Sequence, residues 1–477
     1  MRKASLKKTD GALQSAQTAQ LAGLLPRDRK RRQTARARSP FTPRAFSGLL
    51  APDRVLARLR TRLAAAPPAA LVPFAIVSSF TTYFCMYAFR KPIAAAVFEG
   101  AQVGGFDLKI AVLSSQLVGY ATAKFLGIRV LSELAPVRRT AALLSVVLAA
   151  EGFLVLFALA GPWLRLAAMF GNGLCLGGVW GLVYGYLEGR RTSEILGAGL
   201  SGSYIVASGV VKTVGRALVL AGVPEAWMPA LTGLCFLPLF LAGVAGLAAL
   251  PPPSHHDEAE RTARRPMRAG ARRAFVRRHA VALAALTTLY VLLTAYRDIR
   301  DNFAVEIWNA LGWADRPRIL TVSEIPIAVV VLAALAALVR VRDNRTALLA
   351  VHGLMAAGTA LVAGATLAFD LGLVPGSAFM ILVGLGLYLA YVPYGCVLFD
   401  RMIAATGTVG TAVFMIYVTD AAGYAGSILL LLGKQTFGPS TPWLSFFRTL
   451  SYATGLACTG LFAVSAAALA RRRPPAP

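Results

Sequence analysis

From about residue 69 to residue 470 the chain is a succession of apolar runs, each about 20 residues long, separated by short polar or Gly/Pro punctuation. A run of that length is what a helix needs to cross a hydrocarbon core about 30 Å thick. The runs fall near 69–97, 109–131, 140–160, 163–187, 195–220, 227–249, 280–306, 318–340, 346–368, 376–399, 409–432 and 444–470, the third and fourth divided only by Gly161-Pro162. The pattern predicts an all-α integral membrane protein with twelve transmembrane helices in two six-helix halves. The halves are expected at 67–250 and 280–470, with a linker at 251–279 and tails at 1–66 and 471–477.

The polar positions inside those runs repeat. Tyr83, Phe89, Arg90 and Glu99 are matched, 207 positions later, by Tyr290, Tyr296, Arg297 and Glu306, and each set follows a threonine pair, Thr81-Thr82 and Thr287-Thr288. An arginine within apolar helix costs several kcal/mol unless it faces a partner or a water-filled cavity. One arginine at the matching point of each half therefore implies a shared central polar site. A repeat in the same order implies parallel halves related by an axis along the membrane normal, each with an even number of spans. Tyr184-Gly185 with Arg191, and Tyr394-Gly395 with Arg401, extend the repeat at an offset of 210. The glycines of the fourth and tenth runs (Gly171, Gly173, Gly177, Gly178, Gly181; Gly384, Gly386) permit close helix approach, as packing in lipid requires.

Composition agrees: 57% of the 477 residues are hydrophobic, and the mean hydropathy is +0.62. The net charge of +27 is segregated into blocks. Residues 1–65 hold 16 Lys/Arg against three acids, 251–279 hold eight Arg against Asp257, Glu258 and Glu260, and the chain ends after Arg471, Arg472 and Arg473. Alternate short loops carry Arg138-Arg139, Arg190-Arg191 and Arg340, Arg342, Arg345, and the others carry few cations. This asymmetry places both termini and the linker in the cytoplasm, so the basic surface is expected to meet anionic lipid rather than nucleic acid. The Arg/Pro/Ser-rich start reads as a disordered tail, with residues 53–63 as a basic amphipathic helix on the membrane. An organelle transit peptide shares that composition. The Ala/Arg richness fits a bacterial inner membrane. A monomer is expected.

Candidate chemistry is confined to the intramembrane charges. The five cysteines (Cys85, Cys175, Cys235, Cys396, Cys458) and four histidines (His255, His256, His279, His352) have no metal-ligand spacing, so no metal or cofactor is expected. No Walker loop or hydrolase motif occurs, which argues against an ATP-driven pump or an enzyme. The substrate-binding candidates are Arg90, Arg297, Tyr83, Tyr87, Tyr290 and Lys124. The coupling candidates are Lys212, Glu324, Asp420 and Glu151, and Arg216, Tyr204, Tyr388, Tyr391 and Tyr417 are further polar residues within the spans. Two planar guanidinium forks replace the hydration of an anion two hydrogen bonds at a time. The competing reading has Arg90 and Arg297 snorkelling, or pairing with Glu99 and Glu306, and it is the favoured one for Lys91 and Arg300. A proton-coupled carrier using Glu151 or Asp420, and a transporter-like solute receptor, stand beside the anion carrier.

Tyr87-Ala88-Phe89-Arg90-Lys91-Pro92, followed by Gly119-Tyr120-Ala121-Thr122-Ala123-Lys124-Phe125 and Arg138-Arg139, resembles the organophosphate:phosphate antiporters of the major facilitator superfamily. The resemblance implies a twelve-helix fold in which an arginine of helix one and another of helix seven jointly bind phosphate, the places held by Arg90 and Arg297. It implies that helix five abuts helix eight and helix two abuts helix eleven, which would pair Lys212 with Glu324 and Lys124 with Asp420 as latches. The chain departs from the family in its degraded 127–137 loop and in Asp298, Arg300 and Asp301, which are positioned to neutralise Arg297.

Overall fold

Backbone inside hydrocarbon has to satisfy its polar groups within its own segment, and each apolar run is accordingly helical. The computed structural model describes residues 53–132, 136–188, 192–253, 279–314, 316–406 and 412–470, together with Arg190 and Arg277. The first half consists of α1 (Asp53–Ala64), α2 (Pro68–Met86), α3 (Leu108–Ser132), α4 (Pro136–Leu159), α5 (Pro162–Leu176) with α6 (Val179–Tyr184), α7 (Ser193–Leu220) and α8 (Met228–Ala249). The second consists of α9 (Ala280–Asn302), α10 (Ala304–Ala310), α11 (Ile319–Val322) with α12 (Glu324–Val339), α13 (Asn344–Asp370), α14 (Gly376–Pro393) with α15 (Phe399–Thr406), α16 (Ala412–Phe437) and α17 (Trp443–Ala470). Among the described residues ten helices are long and apolar enough to cross a membrane. The 25-residue α3 and 26-residue α16 complete two sets of six, and these two spans carry a polar stripe. The expected tail over 1–52, most of the 251–279 linker, residues 471–477, Arg191 and the Tyr417 side chain lie outside the described residues.

The first span is shorter as helix than the run 69–97 predicts. It stops at Met86 and continues as 3-10 turns at Tyr87–Phe89 and Pro92–Ala95. Pro92 is the cause, since it lacks an N–H and disfavours helical geometry at Lys91. The carbonyls freed by the break are satisfied from neighbouring spans: Asn172 Nδ2 donates to Phe89 O at 3.0 Å and Gln116 Nε2 to Arg90 O at 3.0 Å. Gln116 Nε2 also donates to Asn172 Oδ1 at 2.8 Å. Non-helical backbone at membrane depth is tolerated where protein buries and bonds it in this way. Further along, Phe98 takes a left-handed φ of +53°, and the Glu225 carboxylate accepts the N–H groups of Val97 and Phe98 at 2.7 and 2.8 Å, which holds the strained turn.

A two-stranded hairpin, β1 (Gln102–Val103) and β2 (Phe106–Asp107), leads into α3. Its two-residue turn requires positive φ twice, supplied by Gly104 (+58°) and Gly105 (+81°). Helix packing inside each half depends on glycine. A side chain at Gly119, Gly173 or Gly177 would fall on the facing α3 or α5, and one at Gly358 or Gly386 on the facing α14 or α13. Outside the membrane, Asp343 caps α13 by accepting the Thr346 N–H at 2.7 Å, which holds its carboxyl below the usual range. Arg60 of α1 donates to Ala248 O at the end of α8 at 2.5 Å.

The halves meet where the resemblance implied. Here α7 packs on α11 and α12, and α3 packs on α16. The face bearing α1 and the start of the linker is called the linker face below, and the opposite one the far face.

Candidate functional site

The site grows from helical periodicity. On α3, Lys109, Gln116, Tyr120 and Lys124 follow one another at intervals of seven, four and four. On α9, Tyr290, Thr294, Arg297 and Asp301 recur at four, three and four. Spacings of three, four and seven put residues on one helix face, and both stripes face the seam between the halves.

At mid-membrane these residues form one continuous chain from half to half. The Arg90 guanidinium lies 3.9 Å from the Tyr120 ring centroid, and the Tyr120 and Tyr424 rings meet edge to face at 5.4 Å. Lys124 sits 5.5 and 5.1 Å from those two rings and pairs with Asp420. Asp420 also accepts the Tyr290 hydroxyl. Tyr290 in turn stacks on Tyr391, with their hydroxyls 3.0 Å apart. Arg297 Nη1 donates to Tyr391 Oη, and Arg297 Nη2 pairs with Asp298 at 2.8 Å. Tyr83 and Tyr87 pack edge to face at 5.7 Å on the first span, ahead of Arg90. Tyr120 lies 12 residues into α3, about 18 Å from its far-face end, so Arg90 points inward rather than snorkelling to the interface. Arg90 is 6% exposed with its Nε unpartnered, and among the described residues no carboxylate pairs with it. The expected competitor Glu99 is exposed on the loop.

A second cross-half cluster closes the far face. Asp301 accepts from three side chains of the other half: Lys91 at 2.5 Å, Lys212 at 2.6 Å and Ser208 at 2.5 Å. Lys91 also donates to Asn302 Oδ1 at 2.8 Å. Alongside, Lys109 pairs with Glu306 at 2.5 Å and donates to Ala94 O at 3.1 Å. Thr213 reaches Pro317 O at 3.0 Å and Thr321 Oγ1 at 2.7 Å. These charged side chains are at most 11% exposed.

Several expectations change here. Lys212 does not pair with Glu324. Instead, Glu324 binds Arg300 at 2.9 Å within its own half. The neighbouring helices were read correctly and their rotation was not: Glu324 packs where a side chain at Gly209 would come 3.1 Å from its Cγ, three residues and most of a turn from Lys212. Glu306 serves Lys109 rather than Arg297. Of the two carboxylates in the group expected to neutralise Arg297 only Asp298 does so, Asp301 being held by Lys91 and Lys212 and the neighbouring Arg300 by Glu324. Lys91, expected to snorkel or to pair with a glutamate, instead reaches across the halves to Asp301 and Asn302. Asp420 is fully engaged by Lys124 and Tyr290. By contrast Glu151 is buried with neither carboxyl oxygen partnered, against Gly233 and Phe89. Sequence reading missed Tyr424, which a helical wheel would have placed beside Asp420, and Asp301 as the hub of the far-face cluster, one turn beyond Arg297.

Two six-helix halves in this arrangement define the major facilitator fold, and solved transporters superpose on it. The nucleoside transporter NupG is 15% identical at a TM-score of 0.55, covering 82% of this chain and 98% of that one. A D-xylose-proton symporter is 11% identical at 0.52, covering 85% and 97%. A POT peptide transporter in complex with alafosfalin is 14% identical at 0.54, covering 83% and 94%. At such identities the likeness establishes the fold alone. Within that fold the chain belongs to a family of unknown function, DUF5690, whose model matches residues 92–472. No curated protein matches the sequence.

Proposed function

We propose that the protein is a secondary transporter of a small anionic solute, a phosphate ester or an organic anion, moved by rocking the two halves about the mid-membrane site. The observation that carries this reading is the chain of contacts from Arg90 to Arg297, which joins repeat-related arginines of opposite halves. A guanidinium keeps its charge when buried and presents a planar fork to an oxyanion, and a ligand bridging the halves links binding to their movement. The closed far face corresponds to one end of such a cycle. The resemblance around Arg90 and Lys124 supports an exchanger akin to the organophosphate:phosphate antiporters. Thermal stability of the purified protein against phosphate esters, carboxylates and sugars tests the reading. Anions should raise the melting temperature, and stabilisation by sugars alone would overturn it. Flux in proteoliposomes then separates a carrier from a receptor, because a receptor binds without translocation.

A second reading has one observation in its favour. Glu151 is buried without a partner among the described residues, where a charged carboxylate would cost several kcal/mol. A proton-coupled carrier would use that site.

The charge of the basic linker and tails supports a cytoplasmic linker face, as for a multi-pass protein of a bacterial inner membrane. Reporter fusions after residues 260 and 475 are both expected to read cytoplasmic, and an external readout from either breaks the six-plus-six topology.

A further inference from the structure

The mid-membrane cluster holds three cations, Arg90, Lys124 and Arg297, and two carboxylates, Asp298 and Asp420. Each carboxylate already has its cation. Asp420 is held by Lys124, and Asp298 is held by Arg297, whose Nε and Nη2 lie 3.3 and 2.8 Å from Asp298 Oδ1 while Nη1 is given to Tyr391. Arg90 is the cation of this cluster that no carboxylate holds among the described residues. Its guanidinium face is covered by Tyr120, which leaves the edges of the fork for an oxyanion. The surroundings are aromatic: Tyr120 lies 3.9 Å from the Arg90 guanidinium, the Tyr424 ring packs on Tyr120 at 5.4 Å, and Tyr83 and Tyr87 pack together at 5.7 Å on the first span. A second negative charge entering here would either displace Asp298 from Arg297 or stay uncompensated in a medium where charges interact far more strongly than in water.

We propose that the site selects singly charged organic anions with a flat apolar body, such as aromatic monocarboxylates, over phosphate monoester dianions. This rests on the anion-transport reading and narrows it. One full charge is neutralised by Arg90, and ring packing on the tyrosines supplies the rest of the affinity. A phosphate monoester, whose second pKa is about 6, carries mostly two charges at neutral pH and exceeds what the site balances. The Asp298 carboxylate is then the specificity determinant, because it withholds Arg297 from the ligand.

The test compares two probes of one body, benzoate and phenyl phosphate, binding to the purified full-length protein at neutral pH. Benzoate is expected to bind about tenfold or more tightly than phenyl phosphate. Asp298→Asn, which frees the Arg297 fork, is expected to shift that ratio toward phenyl phosphate by about tenfold. Asp298→Glu keeps the charge and should keep the benzoate preference, and it serves as the folded control. Should phenyl phosphate bind better to the unmodified protein and lose that binding in Arg90→Lys, the monoanion inference is overturned and the anion reading stands. An unchanged ratio in a folded Asp298→Asn protein also overturns it. Failure of both probes to bind overturns the inference, and failure of every anion in the wider screen overturns the underlying reading as well.

Discussion

Arg90→Lys is expected to reduce solute flux by more than tenfold while the protein still folds and inserts. Lysine preserves the charge but loses the planar fork, and charged hydrogen bonds of that kind are worth about 1.5–3 kcal/mol each. The stacking on Tyr120 at 3.9 Å is lost too, a further 0.5–2 kcal/mol or so for a cation over an aromatic face. The readout is uptake into proteoliposomes beside size-exclusion behaviour of the variant. Arg297→Lys should be milder, since its fork is already spent on Asp298 and Tyr391. Full transport by both variants would remove the central site from Arg90.

The second large effect is expected at the far face. Asp301→Asn leaves Lys91 and Lys212 facing each other without their shared carboxylate. Breaking a buried ion pair from one side costs about 3–5 kcal/mol, and the conformation that bears the cost is the one closed at the far face. The population therefore moves toward an open far face. A cysteine introduced at Thr321, which in the closed form bonds Thr213 at 2.7 Å, should react faster with a membrane-impermeant maleimide in the Asp301→Asn background. Adding Lys91→Met and Lys212→Met removes the stranded charges and should slow the labelling again. Labelling that ignores Asp301 would show that the network holds structure without gating it.

The far-face cluster and the central site share helices, and the charges of both crowd one stretch of α9. Arg297 and Asp298 serve mid-membrane, Arg300 braces Glu324 inside its own half, and Asp301 with Glu306 joins the halves at the far face. Arg297 of the central cluster and Asp301 of the far-face cluster thus lie one turn apart on the same helix.

Much of this was legible in the chain. Apolar runs of span length can be satisfied in lipid only as helices, so the twelve-helix class follows from hydropathy. The repeat of Tyr83/Arg90 in Tyr290/Arg297 marks the halves and singles out two arginines, because idle charges in hydrocarbon are selected against by their cost. The break after Met86 was not read from the apolar run, which passes straight through Pro92. What only the tertiary structure decided is which charge meets which. Lys124 and Asp420 pair, whereas Lys212 turns from Glu324 to Asp301. Neighbouring helices follow from topology, but a pairing depends on the rotation of each helix about its axis, where one residue is about 100°. That rotation is set by contacts such as Gly209 against Leu320 and Gly119 against Phe170, which are local matters of shape. The sequence determines how many buried charges there are and at what depth they lie. Packing at those glycines determines that, in the mid-membrane cluster, Arg90 is left without a carboxylate among the described residues.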